Sequence, residues 1–506
     1  MSSTNLQVKD AIQKRQEFLI SFQESFDSYD ELFSLVKDEG LYINAEPLRH
    51  PLIFYFAHTA VFYINKLFET NILSAPEQRI NKYFEEIFAL GVDEFDHDEK
   101  LDCKKDWPKA SEVRQYRQKV RMFMTSIIEK LELEDNTVID QNYKFWIISM
   151  GIEHEKIHLD TSSVIMRMLP TDFISINQNN NSSRFLNIFK IVDEGSDGLN
   201  QNIIDFIKVQ EQNIVVGRPK SEKEAIDSEH TENLEYIYGW DNEFGHERTT
   251  VDEFRISTKL ITNAQYLRFV DDGGYLNSEY WSEEGWQWVQ SYQASMPKFW
   301  IKTLKGYKLR LTFHELNFMP WNFPVEVNCL EANAYCRWLS RKQNILVRIP
   351  TENEYLVLYK RYQNELKSSQ INNMLMHASP SPVDKYKQGD VYDLMGNVWQ
   401  WTLTSFYPFQ NFTKHSAYEN FSTFSFDDKH NIIKGGNWIS YGNMATQQTR
   451  QWFRRHIHQH SGFRVVLQDK NIKNNQDFLQ QIAENQNDCI PMNAKRLQSK
   501  IDSMQD

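Results

Sequence analysis

His154 and His158 stand four residues apart in MGIEHEKIHLDTSSVIMRM, residues 150–168. If that stretch is helical, both imidazoles leave one face and form a pair of metal ligands. The same letters spell H-E-x-x-H, the helix of a zinc protease, in which Glu155 would be the general base. The extended form of that motif is absent, because LDTSSV follows His158. A third candidate, His58, sits in PLIFYFAHTAVFYINKLF, residues 51–68, a run that is apolar nearly all round. Such a histidine is either a hydrogen-bonded core residue or a ligand. Three neutral imidazoles converging in a helical bundle would leave open coordination positions. That arrangement suits Fe(II) binding a thiolate and oxygen together. The alternative is three packed core histidines, each needing a buried partner that a metal would supply at once.

The elements that position these residues are helices. Residues 1–40 read as helix, Pro51 suits the first turn of the next one, and Ser111 is a candidate N-cap for a third. The helix with the histidine pair runs over 142–169 and is closed by Pro170. Residues 1–175 thus read as an all-helical bundle of about four main helices. GVDEFDHDEK, 91–100, reads as a solvated acidic loop without EF-hand spacing. Residues 176–230 read as linker and mixed segment, beginning with the low-complexity INQNNNSSR. From 231 to 469 the chain turns to short apolar runs, tryptophans and glycine turns, the pattern of an α+β domain. A short polar tail, 470–506, follows.

Composition bounds the chemistry. The chain has 506 residues, 41% of them hydrophobic, and a net charge of −13. It is long enough for two domains, and no basic face remains to neutralise phosphates, so a nucleic-acid partner is excluded. Its four cysteines form no C-x-x-C pair, which suits a reducing compartment. The start has no signal-peptide core, and 52–68 carries His58, Asn65 and Lys66, so it reads as a buried helix, not a membrane span. The expected setting is cytoplasmic.

PLIFYFAHTAVFYINKL, RINKYFEEIFALGVDEF and MGIEHEKIHLDTSSV together resemble the DinB-like helical domain of nonheme-iron sulfoxide synthases. These are the C–S bond-forming enzymes of ovothiol and ergothioneine biosynthesis. GWDNEFGHERTTVDEFRISTKLITNAQYLRFVDDGGY, PVEVNCLEANAYCRWLS, RIPTENEYLVL, MGNVWQWT and IKGGNWIS with FRRHIHQHSGFRVV resemble a formylglycine-generating-enzyme (sulfatase-modifying-factor) domain of C-type-lectin-like fold. The resemblance spans roughly 45–468, with the motifs in order.

The resemblance implies His58, His154 and His158 as ligands of Fe(II). It implies Tyr418, in YENFST, as the phenol that gives a proton or hydrogen atom and steers oxygen towards C–S coupling. The family's His-x-x-x-His-x-Glu ends here in Asp160, whose shorter reach suggests a supporting role rather than ligation. Substrate carboxylates call for arginine forks, for which Arg114, Arg117, Arg454 and Arg455 are candidates. Formylglycine generation itself is disfavoured, since SGFRVV has no cysteine nearby.

The wording around His58 is closer to the ovothiol branch. The implied reaction joins L-cysteine to L-histidine with O2, giving 5-histidylcysteine sulfoxide. The ergothioneine branch, which uses hercynine and cysteine or γ-glutamylcysteine, is the alternative. The segment after Lys470 is too short for a methyltransferase, so later N-methylation is expected of a separate protein. A zinc hydrolase using Glu155 and a non-catalytic lectin-like binding module are the readings from other classes.

Overall fold

The computed structural model describes residues 5–89, 106–175, 183–190, 203–220, 236–245, 247–410, 412–468 and 488–489. The acidic loop expected over 91–100 and most of the low-complexity stretch after 176 lie outside them.

Four long helices form the N-terminal bundle: α1 (Ala11–Ser34), α2 (Leu52–Glu69), α4 (Ala110–Lys130) and α5 (Lys144–Met168), with a short α3 (Lys82–Ile87) between. Asp10 caps α1 by accepting from the Gln13 amide at 2.8 Å. Pro51 is the N-cap of α2, one position earlier than its expected first-turn place. The α4 start also differs. Lys109, not Ser111, is the cap, because the Glu112 carboxylate reaches back to the Lys109 amide at 2.8 Å. α1 and α2 each pack against both α4 and α5, which makes a closed ring of four helices.

α2 and α5 meet at Gly151. A methyl group there would stand 2.2 Å from Tyr63 Cε1, so the glycine permits the approach that brings His58 to the histidine pair. Arg117 ties the ring together from inside. Its Nε donates to Asp30 of α1 at 2.6 Å, its Nη1 to the Phe56 carbonyl at 3.1 Å and Thr59 at 2.8 Å on α2, and its Nη2 to Glu155 of α5 at 3.0 Å.

The C-terminal half is rich in sheet. One four-stranded sheet runs in the order Gln451–Arg454, His430–Lys434, Trp399–Ser405, Ser461–Gly462, the last pair parallel and the others antiparallel. A second, wholly antiparallel sheet runs Phe206–Val209, Phe254–Ser257, Val466–Gln468, Leu346–Arg348. Phe206–Val209 and Gln212–Val216 fall inside the segment expected as linker. They pair with Phe254–Ser257 and Glu247–Val251, so this stretch is built into the second half. Of the tail, Asp488 is buried and paired with Arg337 at 2.6 Å.

The two halves share one contiguous hydrophobic core that includes Leu6, Ile64, Ile165, Trp399, Trp438 and Val465. Among the described residues no helix is long and apolar enough to cross a membrane.

Candidate metal centre

His58, His154 and His158 are all buried, and one nitrogen of each lies within 4.8 Å of the others. α2 supplies the first and α5 the other two, one turn apart. His58 Nδ1 donates to the Phe88 carbonyl at 2.7 Å. A carbonyl only accepts, so the proton sits on Nδ1 and Nε2 is the unprotonated nitrogen. His154 Nε2 and His158 Nε2 face each other at 3.2 Å. Two ligands about 2.1 Å from one ion at adjacent positions stand roughly 3 Å apart, so this separation fits a shared metal. Burial holds the His154 imidazole well below its usual range, and His158, His58 and Lys66 push the same way. A neutral imidazole is the ligating form. Three imidazole nitrogens in an apolar cage are a donor set that an iron or zinc ion fits.

Aromatic rings fix the cage. Phe62 stacks on His154 with centroids 3.7 Å apart, Phe54 stacks on His58 at 5.1 Å, and Tyr55 lies 5.7 Å from His158. The expected Tyr418 arrives from the C-terminal half. Its ring lies 5.3 Å from Phe62 and 6.3 Å from His154. Lys66, two turns beyond His58 on α2, holds it there. Its Nζ donates to the Ala417 carbonyl at 2.7 Å and stands 4.3 Å from the Tyr418 ring centroid.

Glu155 points the other way. It accepts from Arg117, from Ser25 at 3.2 Å, from Thr59 at 3.3 Å and from Tyr63 at 3.4 Å. Burial raises its carboxyl, while Arg117 pulls it back down. All these partners belong to the bundle interior, so Glu155 is not the base of an H-E-x-x-H hydrolase.

Asp160 does not support a ligand histidine through any hydrogen bond among the described residues. Its carboxylate accepts from Trp399 Nε1 at 2.9 Å, Asn437 Nδ2 at 2.9 and 3.0 Å, and Ser440 Oγ at 3.2 Å. It therefore clamps the GNVWQWT and KGGNWIS motifs onto α5. Burial raises its carboxyl against the opposing pull of His460 and these three donors. Two further contacts extend the seam. Ser163 Oγ meets His460 Nε2 at 2.9 Å, and Arg167 Nη1 donates to Glu326 at 2.6 Å.

The four candidate arginines are placed as follows. Arg114 forms an exposed pair with Asp38, Arg117 is the bundle's internal tie, and Arg455 donates to Glu284 at 2.8 Å and to the Asp428 carbonyl at 2.7 Å. Their guanidinium groups are engaged by this chain's own oxygens. Arg454 lies on the edge strand opposite His430, with Asp427 nearby. Sequence reasoning missed Lys66 and the Phe88 carbonyl. Lys66 had left a signal, as a charge within an otherwise apolar helix; a backbone carbonyl leaves none.

Residues 220–469 match the model of the sulfatase-modifying factor enzyme 1-like domain. Hercynine oxygenase of Mycobacterium tuberculosis is 30% identical over 237 residues, covering 43% of this chain and 53% of its own length. Ergothioneine biosynthesis protein 1 of Schizosaccharomyces pombe is 21% identical over 440 residues, covering 82% of this chain and 51% of its own. The chain thus spans about half the length of these relatives. Among solved structures, PvdO from Pseudomonas aeruginosa aligns with 53% of this chain and 96% of its own, at 14% identity and a TM-score of 0.34. Residues 220–469 therefore belong to the sulfatase-modifying factor enzyme 1-like domain family, and the chain is a relative of hercynine oxygenase and ergothioneine biosynthesis protein 1.

Proposed function

We propose that this chain is a nonheme Fe(II), O2-dependent sulfoxide synthase that joins L-cysteine to the imidazole ring of L-histidine, giving 5-histidylcysteine sulfoxide. The observation that carries the reading is the buried histidine trio from α2 and α5, with Tyr418 of the second half packed beside it. When bound, a ferrous ion supplies open positions for a thiolate and O2 and the one-electron chemistry that zinc lacks. The reaction balances without an outside reductant. The thiol and the ring C–H each give up hydrogen, one oxygen atom ends on sulfur, and the other leaves as water.

The chain's own residues supply the rest. The Phe88 carbonyl orients His58, and Phe54 and Phe62 stack on His58 and His154 and shield them from water. Lys66 holds the loop that carries Tyr418, whose phenol gives the proton needed as oxygen is reduced. The scattered cysteines support a reducing, cytoplasmic setting.

One observation favours a second substrate. Both relatives are named for hercynine or ergothioneine, which supports coupling to hercynine in place of histidine. The test loads the chain with Fe(II) without air, adds cysteine with either histidine or hercynine, admits O2 and reads product masses. The histidine coupling product is expected. Coupling only with hercynine moves the reading to the second substrate, and cysteine oxidation alone rejects C–S bond formation.

A further inference from the structure

The segment leading into α2 carries a carboxylate that the bundle does not use. Glu46 is 7% exposed, yet its Oε1 accepts no hydrogen bond and the side chain forms no ion pair among the described residues. It lines a cavity of about 90 Å³ with Trp288, Tyr292, Met296, Lys298 and His456. Trp288 is 5% exposed, and its Nε1 likewise finds no acceptor among the described residues. A buried carboxyl oxygen and a buried donor left unmatched are each costly, so two in one cavity ask for a shared ligand.

The ligand's chemistry follows from the two atoms. Glu46 needs a cationic donor, and Trp288 needs an acceptor. The faces of Trp288 and Tyr292 favour an ammonium group. Burial and then Glu46 push the Tyr292 hydroxyl up to about 12, so it stays neutral. Lys298, exposed at the rim, adds a positive charge for an anion. We propose that this cavity binds a small zwitterionic α-amino acid, its ammonium on Glu46 and its carboxylate between Trp288 Nε1 and Lys298.

The segment that carries Glu46 leads towards the candidate centre along the chain. Arg49, three residues after Glu46, donates from Nε to Tyr55 Oη at 3.1 Å, and Tyr55 packs beside His158. The choice of ligand rests on the proposed function, whose organic substrates are α-amino acids.

The experiment is calorimetric titration of the metal-free full chain with L-cysteine and L-histidine, and with 3-mercaptopropionate and imidazolepropionate, which lack the amino group. At least one amino acid is expected to bind. Glu46→Gln should weaken it about tenfold or more, as for loss of a charge-assisted bond, and the deamino partner should bind equally poorly to both proteins. Trp288→Phe keeps the ring and removes only the donor. It should weaken binding several-fold even if Glu46→Gln folds poorly. No binding to the wild-type chain, deamino ligands binding as well as their parents, or both variants binding like wild type would overturn the proposal. Turnover by the iron-loaded chain is measured separately, so sulfoxide formation with no effect at Glu46 rejects this site alone.

Discussion

His154 and Glu155 are neighbours on α5 that turn to different partners. His154 Nε2 meets His158 Nε2 at 3.2 Å, whereas Glu155 Oε1 accepts from Arg117 at 3.0 Å. The H-E-x-x-H letters therefore divide between the face that carries the histidine pair and a buried ion pair. Glu155→Ala removes one of the two carboxylates paired with Arg117, leaving Asp30, and should cost about 1–3 kcal/mol of stability in denaturant unfolding. Glu155→Gln should cost less and leave iron binding by the folded chain unchanged. A well-folded, iron-binding Glu155→Gln protein with no turnover would instead make Glu155 a catalytic base.

Tyr418 and Lys66 act as a unit. Tyr418→Phe should keep the iron and shift product from sulfoxide towards cysteine sulfinate, read as a ratio by mass. Lys66→Met frees the loop around Ala417 and should shift the same ratio in the same direction by a smaller amount. The double variant should match Tyr418→Phe alone, because the lysine acts through the phenol. An unchanged ratio in both single variants would leave Tyr418 as packing.

The Asp160 clamp joins the halves through three buried donors, Trp399, Asn437 and Ser440. Asp160→Ala leaves the Trp399 and Asn437 donors unmatched, while Ser440 Oγ keeps its bond to Asn437 Oδ1 at 2.9 Å, and should destabilise the chain by at least about 2 kcal/mol, at roughly 1–3 for each buried group left unsatisfied. Proteolysis of the variant should release the helical bundle from the sheet-rich half before either is cut. Wild-type resistance would show that the shared apolar core holds the seam by itself.

How much of this was legible in the sequence depends on range. His58, His154 and His158 announce themselves by residue type in apolar helices, and the bundle follows from their periodicity. Tyr418 is one of 23 tyrosines and stood out only through the family resemblance. The internal tie made by Arg117 was not legible, because sequence displays a guanidinium but not its partners, which here come from α1, α2 and α5. Asp160 was underread for the same reason, since its donors lie more than two hundred residues away. Strands of four and five residues at Phe206–Val209 and Gln212–Val216 gave too little periodicity to separate from a linker.

Acid should weaken the same seam. Burial alone would raise the Glu326 carboxyl, but Arg167 and His460 reverse this and hold it at about 2. A carboxylate held below its unfolded value stabilises fully above pH 4.5, and that contribution is lost as pH falls from 4.5 towards 2. Glu326→Gln should be less stable than wild type at neutral pH, and the gap should narrow through that window in thermal unfolding. A gap that stays constant with pH would remove the ion pair from the account.

The central claim is that three histidines on two helices hold one ferrous ion. Anaerobic Fe(II) titration of the full chain, with unbound iron removed, tests it directly. One iron per chain is expected, falling to near zero in His58→Ala and His154→Ala proteins that keep the wild-type circular dichroism. A wild-type chain that retains no iron, or folded variants that retain as much as wild type, would contradict it.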